Sequence, residues 1–231
     1  MKINVVEYIQ GIELFSGIDS EDLDSMMICF DPVIRKYEKG EIAVIAGDPL
    51  QGVGIVLNGE VEVIRENAAG SKSIIAFLTK GNTFGEIAAF AGQGIWPSTV
   101  TARKESLLMF IPSDRFLGNC PRACVFHKTL IQNMLRILSA KAVQLNRKVD
   151  YLGIKSMRAK LCTYLLEQRN INKSITFILP VNKNELADYL NVSRPSMSRE
   201  LGRLRDEGLI DFYLSSIRLL NEEALRKMAV E

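Results

Sequence analysis

The residues best suited to chemistry lie in the stretch NVSRPSMSREL, Asn191 to Leu201. Ser193, Arg194, Ser196, Ser198 and Arg199 present hydroxyls and guanidiniums, while Met197 and Leu201, four residues apart, must turn inward on a helix. Guanidiniums placed this way reach guanine O6 and N7 or phosphate oxygens, and first-turn hydroxyls join free backbone N–H groups on phosphate. Arg203 and Arg205 continue the positive charge. The expected chemistry is recognition of an acceptor-rich polyanion, with DNA-binding residues Ser193, Arg194, Ser196, Arg199 and Arg203. Catalysis is not expected. The chain has one histidine, no Ser/His/Asp arrangement, no cluster at metal-ligand spacing and no phosphate-cradling loop.

Two short helices must hold these groups. Asn182 with Glu185 makes a capping-box start for KNELADYL, with Leu186 and Leu190 inward and the small Ala187 where a second helix approaches. Asn191–Val192 forms the turn, asparagine being tolerant of left-handed backbone. Ser193 caps the second helix, which buries Met197, Leu201 and Leu204. This predicts a helix-turn-helix over about 183–205, whose second helix enters the major groove by its N-terminal end. Gly208 stops that helix, LIDFYLSSIRLL reads as a two-stranded wing, and Asn221 caps a final helix, EEALRKMA. Before the motif come a helix capped by Ser156, MRAKLCTYLLEQ, and a short β stretch, SITFILPV. The plain alternative is a solvated face on a winged helical domain that binds protein. The charge distribution favours nucleic acid slightly. From Gly153 onward 13 Lys/Arg stand against 10 Asp/Glu, against 16 and 17 before it.

A long helix precedes this domain. Ile131, Leu135, Leu138, Ala142, Leu145, Val149 and Leu152 follow one another at 4, 3, 4, 3, 4 and 3 residues, an a/d seam over three heptads that Gly153 ends. A second stripe, Leu130, Met134 and Ile137, runs beside it. One helix with two apolar stripes can pack on its own domain and on a second copy at once, so a homodimer is expected; a wide-faced core helix is the alternative.

The N-terminal part reads differently. Residues 1–27 carry helical spacing with a start near Ser20. Between Phe30 and Phe116, short segments such as GIVLNGEVEVIR and KSIIAFLT are divided by glycines 40, 47, 59, 70, 81 and 92, which predicts an all-β sandwich or barrel. A length of 231 residues and 47% apolar content fit two domains. No run of about 18 apolar residues offers a membrane span. With no secretory signal in MKINVVEYIQGIELF and four sparse cysteines (29, 120, 124 and 162), a cytoplasmic chain with reduced thiols is expected.

VLNGEVEVI, KGNTFGEIAAF and ELADYLNVSRPSMSRELGRLRDEGLI together resemble the CRP/FNR family of bacterial transcription regulators over nearly the full length. The resemblance implies an α+β fold: a cyclic-nucleotide-binding-like β-roll, a double-stranded jelly roll, over 1–120; a dimerisation helix over 121–152; and a winged helix-turn-helix over 153–231. It implies a homodimer on near-palindromic duplex DNA, with RNA polymerase as protein partner. It puts Arg194, Ser196 and Arg199 at base- and backbone-contacting positions. Pro195 replaces a glutamate that in many relatives accepts from cytosine, and Glu200 replaces a buried aliphatic residue.

The sensor departs from the relatives that bind cyclic AMP. Gly85–Glu86 is kept, but the arginine–serine pair that holds the cyclic phosphate is Trp96–Pro97 here, followed by Ser98. Lys141–Ala142 stands where the adenine contacts would be. Cyclic AMP is therefore not expected, nor an iron–sulfur cluster, because no cysteine precedes Cys29. Haem on His127, the sole histidine, stays open, as does a role for Cys120 and Cys124 in CPRAC. A small organic or apolar effector resting against Trp96, Leu130 and Met134 is the other candidate. A nucleotide-binding module acting through protein partners is the rival function, from which the arginines of the helix-turn-helix separate this chain.

Overall fold

The structure, a computed structural model, describes residues 5–66, 70, 72–117 and 125–229. The chain divides into two compact units, Met1–Ala140 and Lys141–Glu231. Unit one opens with α1 (Val5–Ile9), a 3₁₀ turn (Glu13–Phe15) and α2 (Ser20–Phe30). The helical reading of 1–27 is thus broken where Gly11 and Gly17 take positive φ, at 77° and 76°. Ser20 is the first helical residue of α2 rather than its cap, and the helix ends at Asp31 in left-handed backbone.

Eight strands follow, with two short helices among them: β1 (Val33–Tyr37), β2 (Ile42–Val44), β3 (Val53–Asn58), β4 (Glu60–Glu66), β5 (Lys72–Thr79), β6 (Thr83–Phe84), α3 (Glu86–Phe90), β7 (Thr99–Ala102), β8 (Ser106–Ile111) and α4 (Ser113–Leu117). They form two antiparallel four-stranded sheets, β1-β8-β3-β6 and β2-β7-β4-β5. The six strand-dividing glycines named above all sit at positive φ. Gly59, between β3 and β4, is the tightest of these turns, for a Cβ there would lie 2.5 Å from the Ser106 Cα.

Strand periodicity explains the core. In β3, Val53, Ile55 and Leu57 join one cluster, while Val56 joins another; in β8, Leu107, Met109 and Ile111 divide from Leu108 and Phe110 in the same way. The second cluster fills the space between the sheets and includes Phe84 and Trp96. The first lies on the outer face of β3 and β8, under α1, α2 and the next helix. Covered on both sides, these two strands read as continuous apolar runs rather than alternating ones.

That next helix, α5 (Val125–Gly153), spans the boundary between the units. Its stripe Leu130, Met134 and Ile137 is buried in unit one. Asn133 on the same face donates to Leu14 O at 3.1 Å and Ser16 O at 2.7 Å, so even its polar residue is satisfied there. The a/d stripe is different: Leu135, Leu145, Val149 and Leu152 are more than half exposed, Ala142 is exposed, and Ile131 and Leu138 are half-buried.

Unit two comprises the end of α5 with α6 (Met157–Asn172), β9 (Thr176–Ile178), α7 (Lys183–Leu190), α8 (Arg194–Asp206), β10 (Ile210–Tyr213), β11 (Ser216–Leu219) and α9 (Glu222–Ala229). The wing has three strands, β10-β11-β9, because the expected β stretch pairs with the hairpin. Tyr151, buried near the end of α5, donates its hydroxyl to Glu167 at 2.7 Å and packs against Tyr164 and Tyr189. Burial pushes the Tyr164 phenol up to about 12 and the Cys162 thiol up to about 11, which leaves Cys162 an inert core residue at neutral pH. Among the described residues, no helix is long and apolar enough to cross a membrane.

Candidate nucleic-acid interface

The helix pair is built as its residues dictate. Asn182 Oδ1 accepts from the N–H groups of Asn184 at 2.9 Å and Glu185 at 3.0 Å, and Glu185 accepts from the Asn182 N–H at 2.9 Å, which completes the capping box. Asn191 takes φ 52°, ψ 55°, and its N–H bonds back to the end of α7. A second device closes the same end: the buried Lys160 donates Nζ to Leu190 O at 3.1 Å. Leu186, Ala187 and Leu190 of α7 then meet Met197, Leu201 and Leu204 of α8 in one buried cluster.

The opposite side of α8 carries the polar groups. Ser193 Oγ caps the helix by accepting from the Ser196 N–H at 3.3 Å and bonds the Ser196 hydroxyl at 2.7 Å. Arg199 in turn donates Nη2 to Ser196 Oγ at 3.1 Å. Ser193, Ser196 and Arg199 are therefore joined in a chain that aims an exposed guanidinium outward from the first two turns. Arg203, one turn further on the same stripe, has a side chain 68% exposed. Arg194 is the first residue of α8 and stands apart from this chain, lining a separate cleft with Asn182, Lys183 and the wing. Pro195 sits in the first turn, where its missing N–H costs nothing.

Sequence reasoning did not find the network beneath this stripe. Glu200, buried in α8, accepts from Arg158 Nε of α6 at 2.6 Å and from Arg203 Nη1 at 3.1 Å. Arg158 also forks onto both oxygens of Glu207, at 2.9 and 2.7 Å. The only signal was a carboxylate at a position expected to be apolar. Hydrogen bonding by Arg158 holds the Glu207 carboxyl below its usual range, a contribution present above the ordinary carboxylate pKa and lost as pH falls through the lowered one. A polar cleft of about 730 Å³ opens between the start of α6 and this face of α8, lined by Ser156, Arg158, Ser196, Arg199 and Arg203 among others.

In unit one the predicted sensor residues are only partly assembled. Gly85 takes φ 76°, a Cβ on it would stand 2.3 Å from Trp96 Cζ3, and Glu86 is buried at the start of α3. Trp96 and Ser98 are buried and Pro97 is exposed. Leu130 and Met134, however, belong to the cluster under the N-terminal helices, whereas Trp96 belongs to the one between the sheets. The expectation of a small organic or apolar effector resting on all three is corrected accordingly: the β3–β8 layer has a face toward each cluster, so within one chain Trp96 does not meet Leu130 and Met134. His127 is buried, stacked on Phe126 at 4.9 Å and edge-on to Phe30 at 4.7 Å, with its Nδ1 lacking a hydrogen-bond partner. Cys120 and Cys124 lie outside the described residues. Among the described residues, no group of three metal-ligating side chains occurs.

Comparison with known proteins agrees with this geometry. The family model of the cyclic nucleotide-binding domain matches residues 34–121, and that of the Crp-like helix-turn-helix domain matches residues 159–228. The cyclic AMP receptor protein of Thermus thermophilus is 22% identical over 220 residues, covering 95% of this chain and 98% of that one. The global nitrogen regulator of Synechococcus elongatus is 25% identical over 200 residues, covering 83% and 87%. The crystal structure of the Thermus thermophilus catabolite activator protein superposes with a TM-score of 0.53 at 22% identity, over 94% of this chain and 98% of its own. A cyclic nucleotide-binding domain followed by a Crp-like helix-turn-helix domain is the architecture these matches share, and the chain belongs to the CRP/FNR family of DNA-binding transcription regulators.

Proposed function

We propose that two copies join along Ile131–Leu152 and read a near-palindromic duplex with their paired α8 helices, under control of an effector sensed by the β-roll. The half-sites would lie about 34 Å apart on one face of the DNA. The observation that carries this reading is the split of α5 into a stripe its own unit buries and a heptad stripe left more than half exposed at Leu135, Leu145, Val149 and Leu152. RNA polymerase is the protein partner such a regulator would engage, in the cytoplasm.

The effector is not a cyclic nucleotide in this reading. Trp96–Pro97 supplies no guanidinium for a cyclic phosphate, and the Trp96 ring is packed against Gly85, Phe84 and Phe110. Haem on His127 would have to open the contacts with Phe30 and Phe126. An absorption spectrum of protein purified without oxygen tests this. A featureless visible region is expected, and a Soret band would assign haem instead.

The DNA reading is tested by selecting duplexes from a random pool with the full chain, with and without filtered small molecules from a cell extract, and then comparing Arg199→Ala. Loss of about 1–3 kcal/mol on the selected duplex alone is expected for a base contact. Equal loss on every duplex would mark Arg199 as a phosphate contact, and no enrichment by the wild-type chain would refute the reading.

A further inference from the structure

The wing ends in Tyr213, Leu214, Ser215 and Ser216, and no lysine or arginine occurs between Arg205 and Arg218. Tyr213 is 78% exposed and Leu214 74%, and Ile178, opposite Ser216 on β9, is 71% exposed. Leu214 also takes φ 54°. The other described non-glycine residues at positive φ are Asp31, Lys173 and Asn191, each capping the end of a helix. Leu214 caps nothing, and glycine or asparagine would hold its turn with less strain. The tip is nevertheless firmly held: Tyr213 pairs with Ser216, and Ser215 O accepts from the Leu179 N–H at 2.8 Å. A fixed, strained, uncovered apolar tip is not something folding alone calls for.

Its place in the unit indicates what it meets. Leu214 and Ser215 share a cleft of about 340 Å³ with Asn182, Lys183, Asn184 and Arg194, the first residue of α8. The tip therefore borders the end of the recognition helix that enters the groove. Lys183 and Arg194 supply the charge for phosphates on the opposite wall. Lacking a cation, the tip itself gains from base faces and sugar edges, not from phosphates.

We propose that Tyr213–Leu214 is a minor-groove wedge. With α8 in the major groove, Leu214 enters the neighbouring minor groove against one base step, Tyr213 lies along the sugars, and the step opens into a kink. Pyrimidine–purine steps unstack most easily, so one is expected at that flank, where no side chain reads a base by hydrogen bonding. The wedge rests on the regulator reading above and adds a contact to it.

The test uses the duplex selected by the wild-type chain, with affinity read by fluorescence anisotropy and bend by energy transfer between the duplex ends. Leu214→Asn and Leu214→Gly both suit left-handed backbone, so their unfolding midpoints should equal or exceed the wild type's. Each is expected to lose roughly tenfold in affinity, to straighten the duplex and to erase the preference at the flanking step. Binding within about twofold of wild type with an unchanged bend overturns the wedge, the outcome expected if the tip docks a protein instead. If the wild-type chain selects no duplex, the regulator reading fails and the wedge falls with it.

Discussion

Leu145→Glu is expected to leave the chain a monomer at concentrations where the wild type is expected to sediment as a dimer. Leu145 is 63% exposed on α5 and lies between Ala142 and Val149 of the heptad stripe. In a two-fold pair the same position meets itself or its near neighbour, so one substitution puts two carboxylates into one apolar seam. The seam runs 22 residues from Ile131 to Leu152, about 32 Å of helix. Desolvating two like charges within it should raise the dimer dissociation constant by about a hundredfold or more. Affinity for a two-half-site duplex should fall on the order of a hundredfold as well, since the second recognition helix no longer arrives tethered to the first. Because the side chain is not part of either unit's buried cluster, helical content and the unfolding midpoint measured at low concentration should hold. Sedimentation velocity decides the matter: a Leu145→Glu chain that remains dimeric removes the seam from the proposed function.

How much of this is legible in the sequence depends on whether the deciding contact is local. The Asn182–Glu185 box, the Asn191 turn and the Ser193 cap are each settled within a few residues, and each stands where the sequence put it. The strand-dividing glycines are local too. The two stripes of α5 were legible because helical period alone separates them, although which stripe unit one buries required the fold. The start misplaced at Ser20 and the breaks at Gly11 and Gly17 are local, but the failures that touch the candidate sites are long-range. Nothing near Leu130 or Met134 says that β3 and β8 separate them from Trp96. Nothing near Glu200 says that Arg158, 42 residues earlier, will fork between it and Glu207. Nothing local marks Leu214 either, since its left-handed backbone goes with the pairing of β10, β11 and β9 and not with its own preference.

Gly85→Ala tests the sensor's construction in the same way. Gly85 holds φ 76°, and an added methyl would stand 2.3 Å from Cζ3 and 2.9 Å from Cη2 of Trp96. The indole cannot retreat cheaply, being packed against Phe84 at 5.8 Å and Phe110 at 6.3 Å in the core between the sheets. Left-handed strain and overpacking together should cost unit one about 3 kcal/mol. Trp96 is the only tryptophan, so its emission reports this unit alone. The expected result is a red-shifted emission at rest and a lower denaturant midpoint by that probe. Arg199 and Ser196 sit in the other unit, so binding to a single half-site at low salt should change little. An unshifted Trp96 emission with an unchanged midpoint would mean that the indole does not rest on Gly85 and does not fill the place a cyclic phosphate would need.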